Sequence, residues 1–297
     1  MSESMRWPDG LIAVDWGTTN RRAYLLGASG ECTNEIEDER GALSIPHDGF
    51  PDAVAEVRER LGDRPMLLAG MVGSNRGWVE AAYVPCPAGV EEIARAMVWP
   101  SDREGIVPGV SFLSGSHADV MRGEEVQLVG AIAAGLIPEG CLVCHPGTHN
   151  KWAVVASGKI ESFRTVMTGE LFSLLREHSV LSDLLQGDAA PDDAFRAGVE
   201  HGLNNDDIPA ELFAIRARVL LGKSAAEEAV SYASGLLIGA DVRIGIGRQP
   251  KGDVFVMGRP ELTELYAAAV GEAGASPTAI DGEQSFLAGI RAIAERI

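Results

Sequence analysis

Hydrophobic positions arrive first in short runs and only later in helical spacing. Residues 11–15 form an apolar run ending on Asp15, and Gly17-Thr18-Thr19-Asn20 separates it from a second apolar run at residues 22–26. So short a break between two runs predicts a β-hairpin. No helical spacing follows the glycine, whereas a Rossmann or P-loop site runs strand, glycine loop, helix. Residues 51–61 then place Ala53, Val54, Val57 and Leu61 on one helical face. A buried strand is expected at 65–69, leading into Gly70-Met71-Val72-Gly73-Ser74-Asn75. The spacing further predicts a helix at 90–98 stopped by Pro100, a strand at 105–113 broken by Pro108, and a long buried helix at 124–136.

The pattern then restarts. A strand at 140–145, a polar turn Pro146-Gly147-Thr148-His149-Asn150 and a returning strand at 151–156 repeat the opening arrangement, with a third strand at 160–166. A strand, a Gly-Thr turn and a returning strand therefore occur twice, as two related lobes would give. Helices are expected at 169–185, 190–202, 209–221 and 225–245, then a strand at 254–257, a turn Gly258-Arg259-Pro260-Glu261, a helix at 262–273 and a last helix at 283–297. The expected lobes are residues 1–123 plus 283–297, carrying the first turn, and residues 124–282, carrying the second. A length of 297 residues agrees with two lobes rather than one core.

Composition narrows the class without choosing a substrate. A hydrophobic content of 46% with 6% aromatics is that of an ordinary globular α/β or α+β chain. A net charge of −18 argues against a nucleic-acid partner. No run approaches the roughly 20 apolar residues of a membrane span, and residues 1–9 lack the basic and apolar regions of a signal peptide. A soluble, cytoplasmic protein with no membrane partner is expected. Cys141 and Cys144 form a C-x-x-C inside an apolar strand run with no second pair nearby, which favours buried structural cysteines over zinc or redox chemistry.

The first turn carries the most chemical information. A phosphate needs backbone N–H donors at close range, and Gly17 lets the chain approach without a Cβ in the way. Thr18, Thr19 and Asn20 add side-chain donors. Asp15 at the end of a buried strand is costly unless it serves a magnesium-bound triphosphate. On spacing alone, a plain hairpin turn closed by an Asx or hydroxyl bridge accounts for these residues equally well.

The strand, the Asp15-x-Gly-Thr-Thr turn and the returning strand resemble the first phosphate motif of the superfamily shared by actin, hexokinase and the heat-shock ATPases. The rest of the chain resembles one family in it, the 2-dehydro-3-deoxygalactonokinases. The matching stretches are AVDWGTTN (13–20), AGMVGSN (69–75), VMRGEE (120–125), PGTHNKW (146–152), FRTVMTGEL (163–171), SGLLIGA (234–240) and AGIR (288–291), in order along essentially the whole chain. The resemblance implies an α/β, two-lobed actin-like ATPase (ribonuclease H-like) fold of mixed sheets flanked by helices, with nucleotide in the interlobe cleft. It implies transfer of the ATP γ-phosphate to the 6-hydroxyl of 2-dehydro-3-deoxygalactonate, a step of galactonate breakdown. Gly147, Thr148 and His149 are then expected at the phosphates, and Gly258 near the adenosine, where Arg259 stands in place of a small residue. Many members of the superfamily carry an aspartate in the second strand-turn. This chain has His145-Pro146 there, leaving Asp15 to hold Mg2+ through water.

A kinase acting on an alcohol gains from a carboxylate that takes the hydroxyl proton. In the superfamily that group starts the helix joining the lobes, which makes Glu124 and Glu125 the candidate bases, Glu124 favoured, with Asp119 and Glu170 behind them. Glutamates also suit any helix N-terminus through its dipole. Arg122 and Arg164 suit the substrate carboxylate because a guanidinium grips carboxylates with parallel bonds. Ser74 and Asn75 follow a strand end, and Thr168 and Glu170 are candidates for sugar hydroxyls. Lys151 has a weaker claim to the phosphates, while Trp78 and Trp152 read as packing residues. The expected partners are ATP and a small sugar acid, and a homodimer is compatible with this reading. A kinase for another sugar on the same scaffold, or a non-catalytic ATP or sugar sensor, are the competing readings.

Overall fold

The computed structural model describes residues 7–247 and 252–297. The chain divides into two compact units, Met1–Glu139 with Val155–Ser162 and Glu283–Ile297, and Gly140–Val154 with Phe163–Gly282.

The first unit is built on β1 (Leu11–Trp16), β2 (Arg21–Leu26) and β3 (Cys32–Asp38), an antiparallel meander. Helix α1 (Phe50–Leu61) follows and buries Phe50, Ala53, Val54, Val57 and Leu61, the face its spacing predicts. It crosses to β4 (Met66–Gly70), which pairs parallel with β1. After β5 (Val84–Pro85), α2 (Val90–Arg95) and β6 (Val98–Ser101), strand β7 (Glu104–Ile106) joins β4 in parallel. The resulting sheet order is β3-β2-β1-β4-β7-β6. Strands β8 (Val110–Ser114) and β9 (His117–Met121) form a separate small sheet with β5, followed by α3 (Glu124–Ala133). The predicted break at Pro108 thus divides two strands of different sheets. The predicted helix at 90–98 is shorter, because Val98 already belongs to β6.

The second unit repeats the plan. Strands β10 (Cys141–His145), β11 (Asn150–Ala156) and β12 (Lys159–Val166) are followed by α4 (Thr168–His178), α5 (Asp193–Asn204), α6 (Ile208–Leu220) and α7 (Ala229–Ile246). Then come β13 (Asp253–Gly258), α8 (Pro260–Glu272) and β14 (Ser276–Asp281), after which α9 (Gly282–Ala294) belongs to the first unit. The sheet order is β12-β11-β10-β13-β14, with β13 parallel to β10 and β14 parallel to β13. In both sheets the first strand lies between its own hairpin partner and a parallel strand that follows a helical crossover. The twofold recurrence of the Gly-Thr turn is therefore a recurrence of topology.

Further features differ from what the sequence predicts. The stretch Ala226–Ile246 is long and apolar enough to cross a membrane, contrary to the expectation that no run is. It is 67% buried within the second unit, as a core helix is. Helix α3 falls in the first unit rather than with residues 124–282. It packs against α9 through Gly130 and Gly289, where a Cβ at either would overlap a backbone carbonyl of the other helix. Helix α4 stops at His178 instead of 185, and Leu181 and Leu185 fold back into a small core with Ile215 and Leu236. Cys141 and Cys144 are buried and not joined in a disulfide, in keeping with a structural role.

Candidate active site

The turn Gly17–Asn20 leaves β1 and is sealed from behind. Gly41 N donates to Thr19 O at 2.8 Å, Ala42 N to Gly17 O at 2.9 Å and Leu43 N to Thr18 O at 3.3 Å. Trp16 holds this backing segment by donating from Nε1 to Arg40 O at 2.9 Å, and its ring packs edge-on against Phe50. Three carbonyl oxygens that would repel an anion are thereby occupied. Gly41 allows the close approach, since a Cβ there would overlap Thr18 O and the Thr19 carbonyl carbon. Asp15 sits half-buried one residue before the end of β1, paired in register with Arg22.

The second turn, in the other unit, is built alike. Glu170 N donates to Thr148 O at 2.9 Å, and the Glu170 carboxylate meets His149 Nε2 at 2.6 Å. A Cβ at Gly169 would press on the Gly147 carbonyl. The N-terminus of α4 therefore backs this turn as residues 41–43 back the first. Lys151 is buried and its Nζ donates to His149 O at 3.0 Å, so its charge turns back toward the turn and not outward. Gly258, at the end of β13, lies against Pro146, the ideal Cβ position being 3.4 Å from Pro146 O.

Beside this turn lies a cavity of about 490 Å3 whose lining includes Gly147, Thr168, Gly169, Ser234, Leu265 and Tyr266. Its size is that of small-molecule and cofactor sites. Beneath it is Asp241, 1% exposed on α7. Its Oδ1 accepts from Trp152 Nε1 at 2.7 Å; its Oδ2 accepts from Asn150 Nδ2 at 2.9 Å and from Thr168 Oγ1 and Tyr266 Oη at 2.6 Å each. Burial pushes the Asp241 carboxyl upward, and these four donors oppose that shift. Thr168 and Glu170, expected at sugar hydroxyls, are thus engaged at the second turn. Arg164 lies half-buried on β12 of the same unit.

In the first unit, Gly123 enters α3 with φ of +108°, a conformation that favours glycine. Arg122 N donates to Glu124 Oε2 at 3.0 Å and Gly123 N to Glu125 Oε2 at 2.7 Å. The Arg122 guanidinium lies 4.4 Å over the Tyr83 ring and donates from Nη2 to Ala81 O at 2.7 Å. Its Nε and Nη1 are buried without partners, and so is Glu125 Oε1. A Cβ added at Gly73 would lie 2.9 Å from Arg122 Nη1. Glu125 is fully buried, and burial first, then the neighbouring Glu124 charge, raises its carboxyl to about 8. Position 125 shares a helical face with buried Leu128 and Val129, whereas Glu124 is half-exposed and caps the Arg122 N–H. Of the two carboxylates, Glu125 is thus the buried one. Ser74 is spent on its own turn, donating to Met71 O at 2.8 Å and accepting from Arg76 N at 3.2 Å; Asn75 beside it is exposed. Asp119 stands beside His117 on β9, at 3.8 Å.

Among the described residues there is no cluster of three or more His, Cys, Asp or Glu side chains able to hold a metal. A lone carboxylate such as Asp15 still suits Mg2+, which keeps its waters and takes most remaining ligands from substrate phosphates.

Residues 15–293 match the family model of 2-keto-3-deoxy-galactonokinase. The chain belongs to that family. It is 39% identical over 291 residues to the 2-dehydro-3-deoxygalactonokinase of Escherichia coli K12, covering 96% of this chain and 98% of that one. A crystal structure from Sinorhizobium meliloti, described as a 2-dehydro-3-deoxygalactonokinase protein, superposes with a TM-score of 0.89 at 34% identity over 96% of this chain and 98% of that one. Component A of the (R)-2-hydroxyglutaryl-CoA dehydratase of Acidaminococcus fermentans shares the fold alone, with a TM-score of 0.52 at 12% identity over 94% and 95% of the two chains. The fold of this 2-keto-3-deoxy-galactonokinase family member is α/β, that of the actin-like ATPases, with mixed sheets flanked by helices.

Two residues of this family member's site escaped the sequence reading. Asp241 had a signal, since a lone carboxylate in an apolar helix needs partners. Gly41 had none, because the atoms that demand a glycine there come from residues 18 and 19.

Proposed function

We propose that the chain is an ATP-dependent kinase that phosphorylates the 6-hydroxyl of 2-dehydro-3-deoxygalactonate. The observation that carries this reading is the buried pair Arg122 and Glu125, with two guanidinium nitrogens and one carboxylate oxygen lacking partners. Buried polar groups are normally paired, and an unpaired set of this kind calls for a ligand bearing both an acceptor and a hydroxyl. A sugar acid supplies both.

In this reading Arg122 holds the substrate carboxylate or 2-keto oxygen, with Tyr83 fixing the guanidinium plane. Each turn suits a phosphate through its N–H groups, because residues 41–43 occupy Gly17, Thr18 and Thr19 O in the first and Glu170 N occupies Thr148 O in the second. The cavity beside the second turn receives the adenosine. Asp15 would hold Mg2+ through water, and the ion, bound with the triphosphate, supplies neutralisation of phosphate charge. Glu125 takes the hydroxyl proton as the oxygen attacks the γ-phosphorus, forming one P–O bond while the bond to ADP breaks.

The test is a coupled ADP-release assay over a panel of 2-dehydro-3-deoxy sugar acids. Turnover of the galactonate derivative is expected to be fastest. Brisk turnover of another sugar with none of this one would end the substrate assignment and leave a kinase. Arg122→Lys is expected to raise the KM for the sugar acid roughly 10- to 100-fold, the loss of one or two charge-assisted bonds, with the KM for ATP unchanged. Equal rises in both constants would remove Arg122 from substrate binding.

A further inference from the structure

We infer that Asp241 is a positioning residue for the nucleotide, setting the second phosphate turn and the cavity wall from a single buried carboxylate. The inference rests on the kinase reading for the ligand's identity, while its geometry is independent of that reading. Asn150 is the first residue of β11, immediately after the turn, and Trp152 lies two residues on, on the same face of the strand. Both reach Asp241. The Asn150 amide is oriented by Cys144, whose Sγ contacts its Oδ1 at 3.5 Å, leaving the NH2 end for the carboxylate. Thr168 is the first residue of α4, and the two residues after it, Gly169 and Glu170, are those that press on Gly147 and bind Thr148 O. Tyr266 comes from α8 and lines the cavity together with Thr168. One carboxylate therefore ties the exit of the turn, the helix that backs it and the far wall of the cavity.

A position serving packing alone would not need a charge there. The neighbours of Asp241 on α7 include Leu237, Ile238 and Val242, all buried, and a well-packed apolar side chain is often at least as stabilising as a buried ion with its partners. What a carboxylate adds is direction. One donor on Oδ1 and three on Oδ2 converge on this carboxylate, so each donor's direction is set by the same group. The turn is held at one spacing relative to the cavity, the preorganisation a phosphate and its attached nucleoside require.

The experiment compares wild type with Asp241→Asn, Thr168→Val and Tyr266→Phe. It measures ADP affinity by calorimetry, KM for ATP, KM for the sugar acid, kcat and thermal unfolding. Folded Asp241→Asn is expected to weaken ADP binding and raise the KM for ATP about tenfold, a change of about 1.4 kcal/mol, with the KM for the sugar acid within about twofold. Thr168→Val is expected to shift the same constants, and its combination with Asp241→Asn to be less than additive, since both act through one carboxylate. A folded Asp241→Asn with wild-type ADP affinity, or one that raises both KM values alike, overturns the inference. Should Asp241→Asn not fold, the two single-donor variants decide: weakened ADP binding in both supports the role, and unchanged binding in both overturns it. Failure of the kinase reading looks different, namely a wild type that binds ADP yet turns over no ATP with any sugar acid, and the calorimetric comparison still reports on Asp241.

Discussion

Replacing Glu125 by glutamine is expected to lower kcat by roughly 10²- to 10⁴-fold, the contribution of a positioned general base. The same change at Glu124 is expected to cost less than about tenfold, because a half-exposed carboxylate that caps an N–H is not placed to take a proton. The pH dependence follows from the raised carboxyl. With its ionisation at about 8 in the free protein, Glu125 is mostly protonated at neutral pH, so kcat/KM should climb as pH rises toward about 8 and level above it. Glutamine at 125 should erase that limb.

Stability should move the opposite way. The unfolded carboxyl ionises near its model value of 4.5 and the folded one near 8. Between those values the unfolded chain binds fewer protons, so wild-type stability falls as pH rises across that window and flattens above it. Asp or Glu groups with depressed ionisation behave in reverse. Glu125→Gln should therefore unfold at a higher temperature than wild type at pH 8 while being nearly inactive. Parallel thermal melts and initial rates check both halves. A kcat within tenfold of wild type, or a larger loss for Glu124→Gln, would move the base to position 124.

Gly41→Ala carries the second large effect. Gly41 has φ of −64° and ψ of 163°, which any residue adopts, so backbone conformation does not require glycine there. Space does, because the atoms a Cβ would meet are backbone atoms of Thr18 and Thr19 and cannot rotate away. The methyl should force residues 41–43 off the first turn, break up to three hydrogen bonds and turn carbonyl oxygens loose beside the phosphate. A rise of roughly 10- to 100-fold in the KM for ATP is expected, with about 1–3 kcal/mol of lost stability. Gly271→Ala is the matched control, since nothing lies within 4 Å of its Cβ position and alanine is the better helix former. ADP calorimetry and thermal melts on the two variants separate them, and an unshifted ADP affinity in folded Gly41→Ala would dismiss the backing segment as a determinant of the turn.

How much of this could be read from residues alone follows a physical divide. Strand β1 and its turn were legible because a strand buried on both faces is a continuous apolar run, and a glycine-threonine break in it stands out. Strands β3 and β14 were not, since both lie at sheet edges with mostly exposed side chains and carry no alternating pattern. At α3 the sequence held more than was drawn from it. The dipole argument treats Glu124 and Glu125 alike, yet Leu128 and Val129 stand three and four residues after 125 and already assign it to the buried face. The partners of Asp241 come from 25 to 91 residues away, and no local pattern names them.

The order in which this chain is made bears on how it folds. Residues of the second unit are complete once Gly282 has been added, but the first unit is divided, and its segment Glu283–Ile297 is synthesised after the second unit. Until α9 emerges, the face of α3 around Gly130 lacks the helix that packs on it. Domains tend to fold as units during synthesis. The unit that holds Gly130 therefore closes only after the second unit has been made, so chains cut short before Glu283 should present the bare face of α3 to chaperones and proteases while the second unit is already closed.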